Sequence, residues 1–95
     1  MMEYIVRGSN SPLVLKCGDI KIYELYAEIS QYGIQKKTWK LENVSIRDDH
    51  LILPLSEKDT FNLTRGRADL SVKVKTPQGA VLFMNVIHYK VLDHI

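Results

Sequence analysis

The chain of 95 residues carries 13 basic and 11 acidic side chains, for a net charge of +2, and 45% of its residues are hydrophobic. This length predicts one domain, 1–95, which buries only a little over roughly 60% of its unfolded surface and so has little apolar area to spare for a deep enclosed cavity. The composition excludes a disordered chain, and the small, evenly spread charge is unlike the concentrated positive field of nucleic-acid-binding domains. No apolar run approaches the roughly 18 residues of a membrane span.

The cysteine count and the first residues predict a protein of the reducing cytoplasm. Cys17 is the only cysteine, so the internal disulfide that braces antibody domains is impossible. The segment from Met1 to Arg7 lacks the basic start and long apolar stretch of a secretion signal. The core must therefore hold by packing, and we expect its centre at Trp39, Leu25, Leu70 and Val72.

Four strands are predicted in the first half of the chain. Two short ones, 2–6 and 12–17, are separated by the Gly-Ser-Asn-Ser break at 8–11. A longer alternating segment, 20–31, follows, and its apolar face carries Tyr23, Leu25, Ala27 and Ile29. After the turn Tyr32-Gly33, four residues of the next strand are predicted to share one face, with the last two pointing inward: Gln35, Lys37, Trp39 and Leu41.

The middle of the chain predicts two shorter strands and a helical turn. Val44 to Arg47 and Leu51 to Leu55 are separated by the polar turn Asp48-Asp49-His50. Ser56 is placed to cap the amide of Asp59, which predicts a single helical turn near 56–62 that bridges two sheets.

The clearest element is the final hairpin. From Arg67 to Lys75, apolar residues alternate strictly with polar ones, the turn Thr76-Pro77-Gln78-Gly79 follows, and the apolar run from Ala80 to Leu92 forms the return. The number and spacing of the predicted strands indicate an all-β fold. We expect an immunoglobulin-like antiparallel β-sandwich of about 7–8 strands with one short helical turn.

Neither a catalytic group nor a metal or cofactor site is predicted. No serine or cysteine stands in a nucleophile motif, and the five glycines stand singly at turns rather than in a phosphate-binding loop. Asp48, Asp49 and His50 are consecutive turn residues that point in different directions, which favours a solvated β-turn over a metal site. His88 and His94, far along the chain, are expected to be surface or half-buried residues. The sequence predicts a protein that is not an enzyme.

Basic residues on two strands form the most suggestive surface feature. If the strands are neighbours, they form a stripe that could contact nucleic acid or an acidic protein face. The pattern favours a solvated strand face instead, where lysine discourages edge pairing, because Asp69 interrupts the stripe and no exposed aromatic platform is predicted beside it. The candidate residues are Lys36, Lys37, Lys40, Arg65, Arg67, Lys73 and Lys75.

Three segments carry a resemblance to a known family. Val6-Arg7-Gly8, the stretch from Leu53 to Phe61, and Ala68 to Lys75 leading to the Gly79 turn resemble small prophage proteins of Gram-positive bacteria. Those proteins are similar to the N-terminal immunoglobulin-like domain of phage baseplate upper proteins. The resemblance implies a phage structural or assembly component, such as a tail or baseplate protein, present in the bacterial cytoplasm during assembly and then in the virion.

The function expected from these observations is protein–protein contact without catalysis or cofactor. The partners implied are other phage structural proteins and a second copy of the chain, with no membrane and with nucleic acid disfavoured. The run from Val81 to Val91 supports such contacts, because it has more apolar residues than one buried face needs. Two alternatives remain: a small regulatory binder, and a module that binds nucleic acid through the basic stripe or carbohydrate through Tyr4, Tyr26 and Tyr32.

Overall fold

A computed structural model describes residues 3–84 and 86–93 and shows an all-β sandwich. Within these ranges there are nine strands, a short α-helix and one 3₁₀ turn at Leu41–Asn43. The strands are β1 (Glu3–Val6), β2 (Leu13–Lys16), β3 (Glu24–Gln31), β4 (Ile34–Lys40), β5 (Ser45–Arg47), β6 (His50–Leu53), β7 (Gly66–Lys75), β8 (Val81–Phe83) and β9 (Ile87–Leu92); helix α1 spans Glu57–Phe61. Met2, predicted to begin the first strand, lies outside the described residues.

The strands form two sheets with an immunoglobulin-like order. The larger sheet runs β1-β9-β7-β3-β4, with β8 also paired to β7, and the smaller runs β2-β6-β5. The run β9-β7-β3-β4 corresponds to strands G, F, C and C′ of a variable-type immunoglobulin sandwich, and β2-β6-β5 to strands B, E and D. One pairing is not antiparallel, because β1 lies parallel to β9. The predicted fold class is confirmed.

The final hairpin forms as predicted, but its return strand is divided. Ala68, Leu70, Val72 and Val74 are all buried, so strict alternation on β7 does mark the inner face. The turn closes through hydrogen bonds from the Gly79 amide to the Thr76 carbonyl and from the Thr76 amide to the Ala80 carbonyl. The return pairs with β7 first through β8 and again through β9. This division explains why nine described strands replace the expected seven or eight.

The predicted start of the third strand, at Ile20, is wrong. The pattern places Ile20 to Tyr23 in the strand with Tyr23 inward, but β3 begins at Glu24 and the Tyr23 side chain is exposed. Strand β3 begins at Glu24 because its partner strand ends there. Glu24 pairs with Lys75, the last residue of β7, and the chain then turns away at Thr76-Pro77. Alternation does not say where a neighbouring strand ends.

Because β4 contains a bulge, the prediction that Gln35, Lys37, Trp39 and Leu41 share one face is wrong. Ser30 of β3 pairs with Gln35, whereas Ile29 pairs with Lys37, so Lys36 is the extra residue. An extra residue reverses the alternation, and Gln35 therefore lies on the outer face with Tyr26, whose hydroxyl its side-chain amide contacts at 2.6 Å. Trp39 is buried as predicted, and Leu41 is partly buried in the 3₁₀ turn.

The core lies between the two sheets around Trp39. The residues expected at its centre, namely Trp39, Leu25, Leu70 and Val72, are all buried. The indole N–H of Trp39 donates to the carbonyl of Pro54 at 2.9 Å, which satisfies the one polar atom of the ring and ties the larger sheet to the segment after β6. Cys17 packs against the edge of this core.

Helix α1 connects the two sheets, as predicted, and is held by a capping box. The Ser56 hydroxyl accepts from the Asp59 amide, and the Asp59 carboxylate accepts from the Ser56 amide at 2.9 Å. The Lys37 ammonium lies 3.3 Å from the same carboxylate. Burial acts to raise the pKa of Asp59, but these hydrogen bonds and Lys37 together hold it below its ordinary value of 3.8.

This depressed pKa predicts an acid-sensitive helix start. Because the folded pKa lies below the unfolded value, the ionised Asp59 stabilises the fold at neutral pH, and that contribution is lost as the pH falls below about 4. Asp59→Asn is expected to be less stable than the wild type at pH 7 and to lose less stability on acidification. Urea unfolding at pH 7 and at pH 3, with Asp49→Asn at an exposed turn as control, measures this. An equal loss on acidification in wild type and Asp59→Asn would contradict it.

Candidate functional site

The predicted basic stripe does not form. Strands β4 and β7, which carry most of its residues, are not neighbours, because β3 lies between them in the sheet. The Lys37 side chain turns to the inner side, where it pairs with Asp59 and lies 5.9 Å from the Trp39 ring centroid. Two of the arginines are engaged with acids: Arg65 with Asp93 at 3.7 Å, and Arg67 with Asp69 at 2.9 Å.

Part of the stripe survives as a row across the outer face of the larger sheet. Tyr26 of β3 lies between Lys40 on one side and Lys73 on the other, and Lys73 in turn pairs with Phe83. Lys40, Tyr26 and Lys73 line an open groove of about 560 Å³. Lys75 and two carboxylates, Glu24 and Glu42, line the same groove, so the charge of its three lysines is offset only in part.

The three tyrosines considered for carbohydrate binding are exposed but do not converge. Tyr4 lies on β1, separated from β3 and Tyr26 by β9 and β7, a distance of about 14 Å at the usual strand spacing. Tyr32 lies in the β3–β4 turn, six residues along from Tyr26, and its hydroxyl approaches Gly66. These positions do not make one stacking platform.

Residues of the family resemblance meet at one corner of the sandwich. The Thr60 hydroxyl accepts from the Gly8 amide at 2.9 Å and donates to the Ser9 carbonyl at 2.8 Å. Gly8 has a φ of +84°, which favours glycine, and a Cβ there would come within 2.8 Å of the tip of the exposed Phe61 ring. The Arg7 guanidinium binds Asp93 at 2.8 Å and the Phe61 carbonyl at 3.3 Å. The arginine-glycine pair therefore joins the N-terminal loop to α1 and to the end of β9.

An exposed triad of Asp69, His88 and Arg67 lies on the outer face of β7 and β9. The Asp69 carboxylate contacts His88 Nδ1 at 2.6 Å and Arg67 Nε at 2.9 Å. The hydrogen bond with His88, followed by that with Arg67, lowers the pKa of Asp69. Among the contacts of the described residues no serine or cysteine is hydrogen-bonded to His88, and Arg67 and Asp69 form a surface salt bridge.

The residues considered for metal binding do not come together in the part of the chain that the structure describes. Asp48 and Asp49 adopt positive φ in the β5–β6 turn, and His50 begins β6 with its Nδ1 2.7 Å from the Asp48 carbonyl. In residues 3–84 and 86–93 no group of three or more potential ligands is found. His94 lies outside the described residues.

The strongest candidate for a functional surface is strand β8 with its surroundings, a feature that the sequence indicated only as surplus apolar content. Its three residues and Val86 expose large apolar area: Val81 50%, Leu82 42%, Phe83 75% and Val86 50%. Beside β8 an apolar groove of about 300 Å³ reaches core residues between the sheets. Its lining includes Leu82, Met84, Ile20, Ile22, Leu51 and Val74. We call β8, Val86 and this groove the β8 surface.

Fold and surface together define an immunoglobulin-like β-sandwich with an apolar strand at a sheet edge. Comparisons with protein-family models, with curated proteins and with solved structures found no match. No helix among residues 3–84 and 86–93 is long and apolar enough to cross a membrane.

Proposed function

We propose that this protein is a non-enzymatic interaction module that works as a structural or assembly component of a bacteriophage tail or baseplate. The observation that carries the interaction role is the β8 surface. Exposed apolar residues close together on a folded chain are typical of contact sites for other proteins, and a free strand edge supplies backbone groups for pairing.

The phage assignment is supported by the resemblance in Val6-Arg7-Gly8 and in the stretch from Leu53 to Phe61. Both segments stabilise the fold, because the hydrogen bond between Gly8 and Thr60 holds the N-terminal loop against α1. The proposal places the chain in the bacterial cytoplasm during assembly and in the finished particle afterwards. Its partners are other virion proteins and a second copy of the chain.

The proposal is tested with particles and with purified partners. Mass spectrometry of purified virions from the induced host is expected to detect the chain in constant ratio to the tail proteins. Each purified tail or baseplate protein encoded beside it is then tested by calorimetry, and at least one is expected to bind. Phe83→Lys is expected to weaken that binding, whereas Val14→Lys, which adds the same charge at a 54% exposed residue of β2, should not. Particles without the chain and neighbours that do not bind would refute the proposal.

A second candidate function is ligand binding on the outer face of the larger sheet, favoured by the row of Lys40, Tyr26 and Lys73 along an open groove. An aromatic ring between two lysines suits an anionic sugar or a nucleotide strand. A glycan array and a salt-dependent DNA titration test it with wild type and Tyr26→Ala. Binding signals that the Tyr26→Ala substitution abolishes would support ligand binding at this groove. The absence of binding in both assays would rule this function out.

A further inference from the structure

The free strand edges of this sandwich differ in charge. Among the described strands, β1, β2, β4, β5 and β8 each have an edge that no other described strand pairs with. A charged side chain on an edge strand discourages pairing with another chain. Four of these five strands carry at least one charged side chain. The charged residues are Glu3 on β1, Lys16 on β2, Lys36, Lys37 and Lys40 on β4, and Arg47 on β5.

Strand β8 has no such protection. It contains only Val81, Leu82 and Phe83, and the sequence from Thr76 to Ile87 has no Asp, Glu, Lys or Arg. One side of β8 pairs with β7, and no described strand covers the other side. The edge therefore offers unpaired backbone donors and acceptors flanked by apolar side chains.

The sandwich is also open beside this edge. Leu82 pairs with the buried Val74, which directs the Leu82 side chain toward the interior, yet it remains 42% exposed. The groove next to it reaches Leu51 and Val74 of the core. A strand added along β8 would close this side, because every second side chain of that strand would point toward the groove.

The charge pattern indicates that the added strand is β8 of a second copy. With a two-fold axis at Leu82, Val81 of one copy lies opposite Phe83 of the other, and apolar residues meet throughout. Within the larger sheet the nearest like charges, Lys73 and Lys75, lie on β7, so those of the two copies are three strand spacings apart, about 14 Å, which exceeds the screening length of about 8 Å in physiological salt. Lys16 of the smaller sheet also lines the groove beside β8. Pairing through β4 would instead bring lysines onto adjacent strands, about 5 Å apart.

We propose that the free edge of β8 pairs antiparallel with β8 of a second copy, forming one sheet that continues through both molecules. This inference rests on the proposed interaction function and names one of its partners. The pairing is isologous, so it closes as a dimer and does not grow into a filament. Three paired residues make a small interface, and the dimer is expected to form at high micromolar concentration.

Sedimentation velocity over the micromolar to millimolar range tests the proposal. Wild type is expected to shift from monomer to dimer, and Phe83→Lys to raise the dissociation constant about tenfold or more, because it places a charge on each copy's edge. Val14→Lys is the matched control and should dimerise like the wild type. Monomer at every concentration, growth beyond dimer, or a dimer that Phe83→Lys leaves intact would overturn the proposal.

Cysteine cross-linking checks the geometry independently. In a Cys17→Ala background, Leu82→Cys is expected to form an intermolecular disulfide under mild oxidation, because residues opposite one another on antiparallel strands lie about 4.5 to 5.5 Å apart at Cα. Val14→Cys, in the same background, should stay monomeric. Equal cross-linking at both positions would overturn the proposal.

The same variants separate this inference from the proposed function. If the wild type stays monomeric but Phe83→Lys abolishes binding to a purified virion protein, the β8 surface binds a different partner and only the inference fails. If neither self-association nor partner binding depends on Phe83, both fail.

Discussion

Trp39→Ala is expected to lower the free energy of unfolding by about 4 kcal/mol, the largest effect predicted for a single substitution in this chain. Trp39 is fully buried at the centre of the core, pairs with Ala27 across the β3–β4 ladder and donates its indole N–H to the Pro54 carbonyl. Alanine would leave a cavity the size of an indole and an unpaired carbonyl between the sheets.

The two contributions of Trp39 can be separated with a second variant. Trp39→Phe keeps most of the apolar volume but loses the hydrogen bond to Pro54, so we expect it to cost about half as much as Trp39→Ala. Urea unfolding followed by far-ultraviolet circular dichroism measures both variants, since Trp39 is also the only tryptophan available for fluorescence. A cost below about 1 kcal/mol for Trp39→Ala would show that the core does not depend on this ring.

Gln31→Leu is expected to cost about 3 kcal/mol, although leucine has a similar size and is more hydrophobic. The Gln31 side chain is only 1% exposed. Its amide nitrogen donates to the Thr64 carbonyl at 2.7 Å and its oxygen accepts from the Thr64 amide at 2.8 Å. The amide nitrogen also lies 3.2 Å from the Arg67 carbonyl. Removing the side-chain amide would leave these part-buried backbone groups without the partner that Gln31 provides.

A glutamine four residues further along the chain provides the control. Gln35 lies on the exposed outer face after the β4 bulge, where its amide contacts the Tyr26 hydroxyl. Gln35→Leu is expected to change the stability by no more than about 0.5 kcal/mol. Both variants are compared by urea unfolding. Similar costs for Gln31→Leu and Gln35→Leu would contradict the structural role given to Gln31.

The candidate surface was only partly predictable. The sequence indicated surplus apolar residues between Val81 and Val91, but β8 becomes an edge only because the return of the hairpin is divided and β9 alone continues to β1. The basic stripe failed for a similar reason. Its residues were identified by their positions along the chain, whereas their grouping depends on β3 lying between β4 and β7.

The sequence by itself determined the features that depend on neighbours in the chain. Alternation from Ala68 to Val74 marked a buried face, Tyr32-Gly33 marked a turn that needs positive φ, and Ser56 with Asp59 marked a capped helix start. In each case the hydrophobic period, the backbone preference or a hydrogen bond within one turn suffices.

The tertiary structure alone decided which strands are neighbours, where β3 begins, and on which side of the sheet Gln35 lies. Each depends on a partner distant in the chain: β7 ends at Lys75 and so limits β3, and one extra residue in β4 reverses the alternation. It also decided that Gln31 is buried, because the groups that satisfy its amide come from Thr64, between α1 and β7, and from Arg67 near the start of β7. Local patterns carry no information about such pairings, since the energy that selects them arises only when distant segments pack.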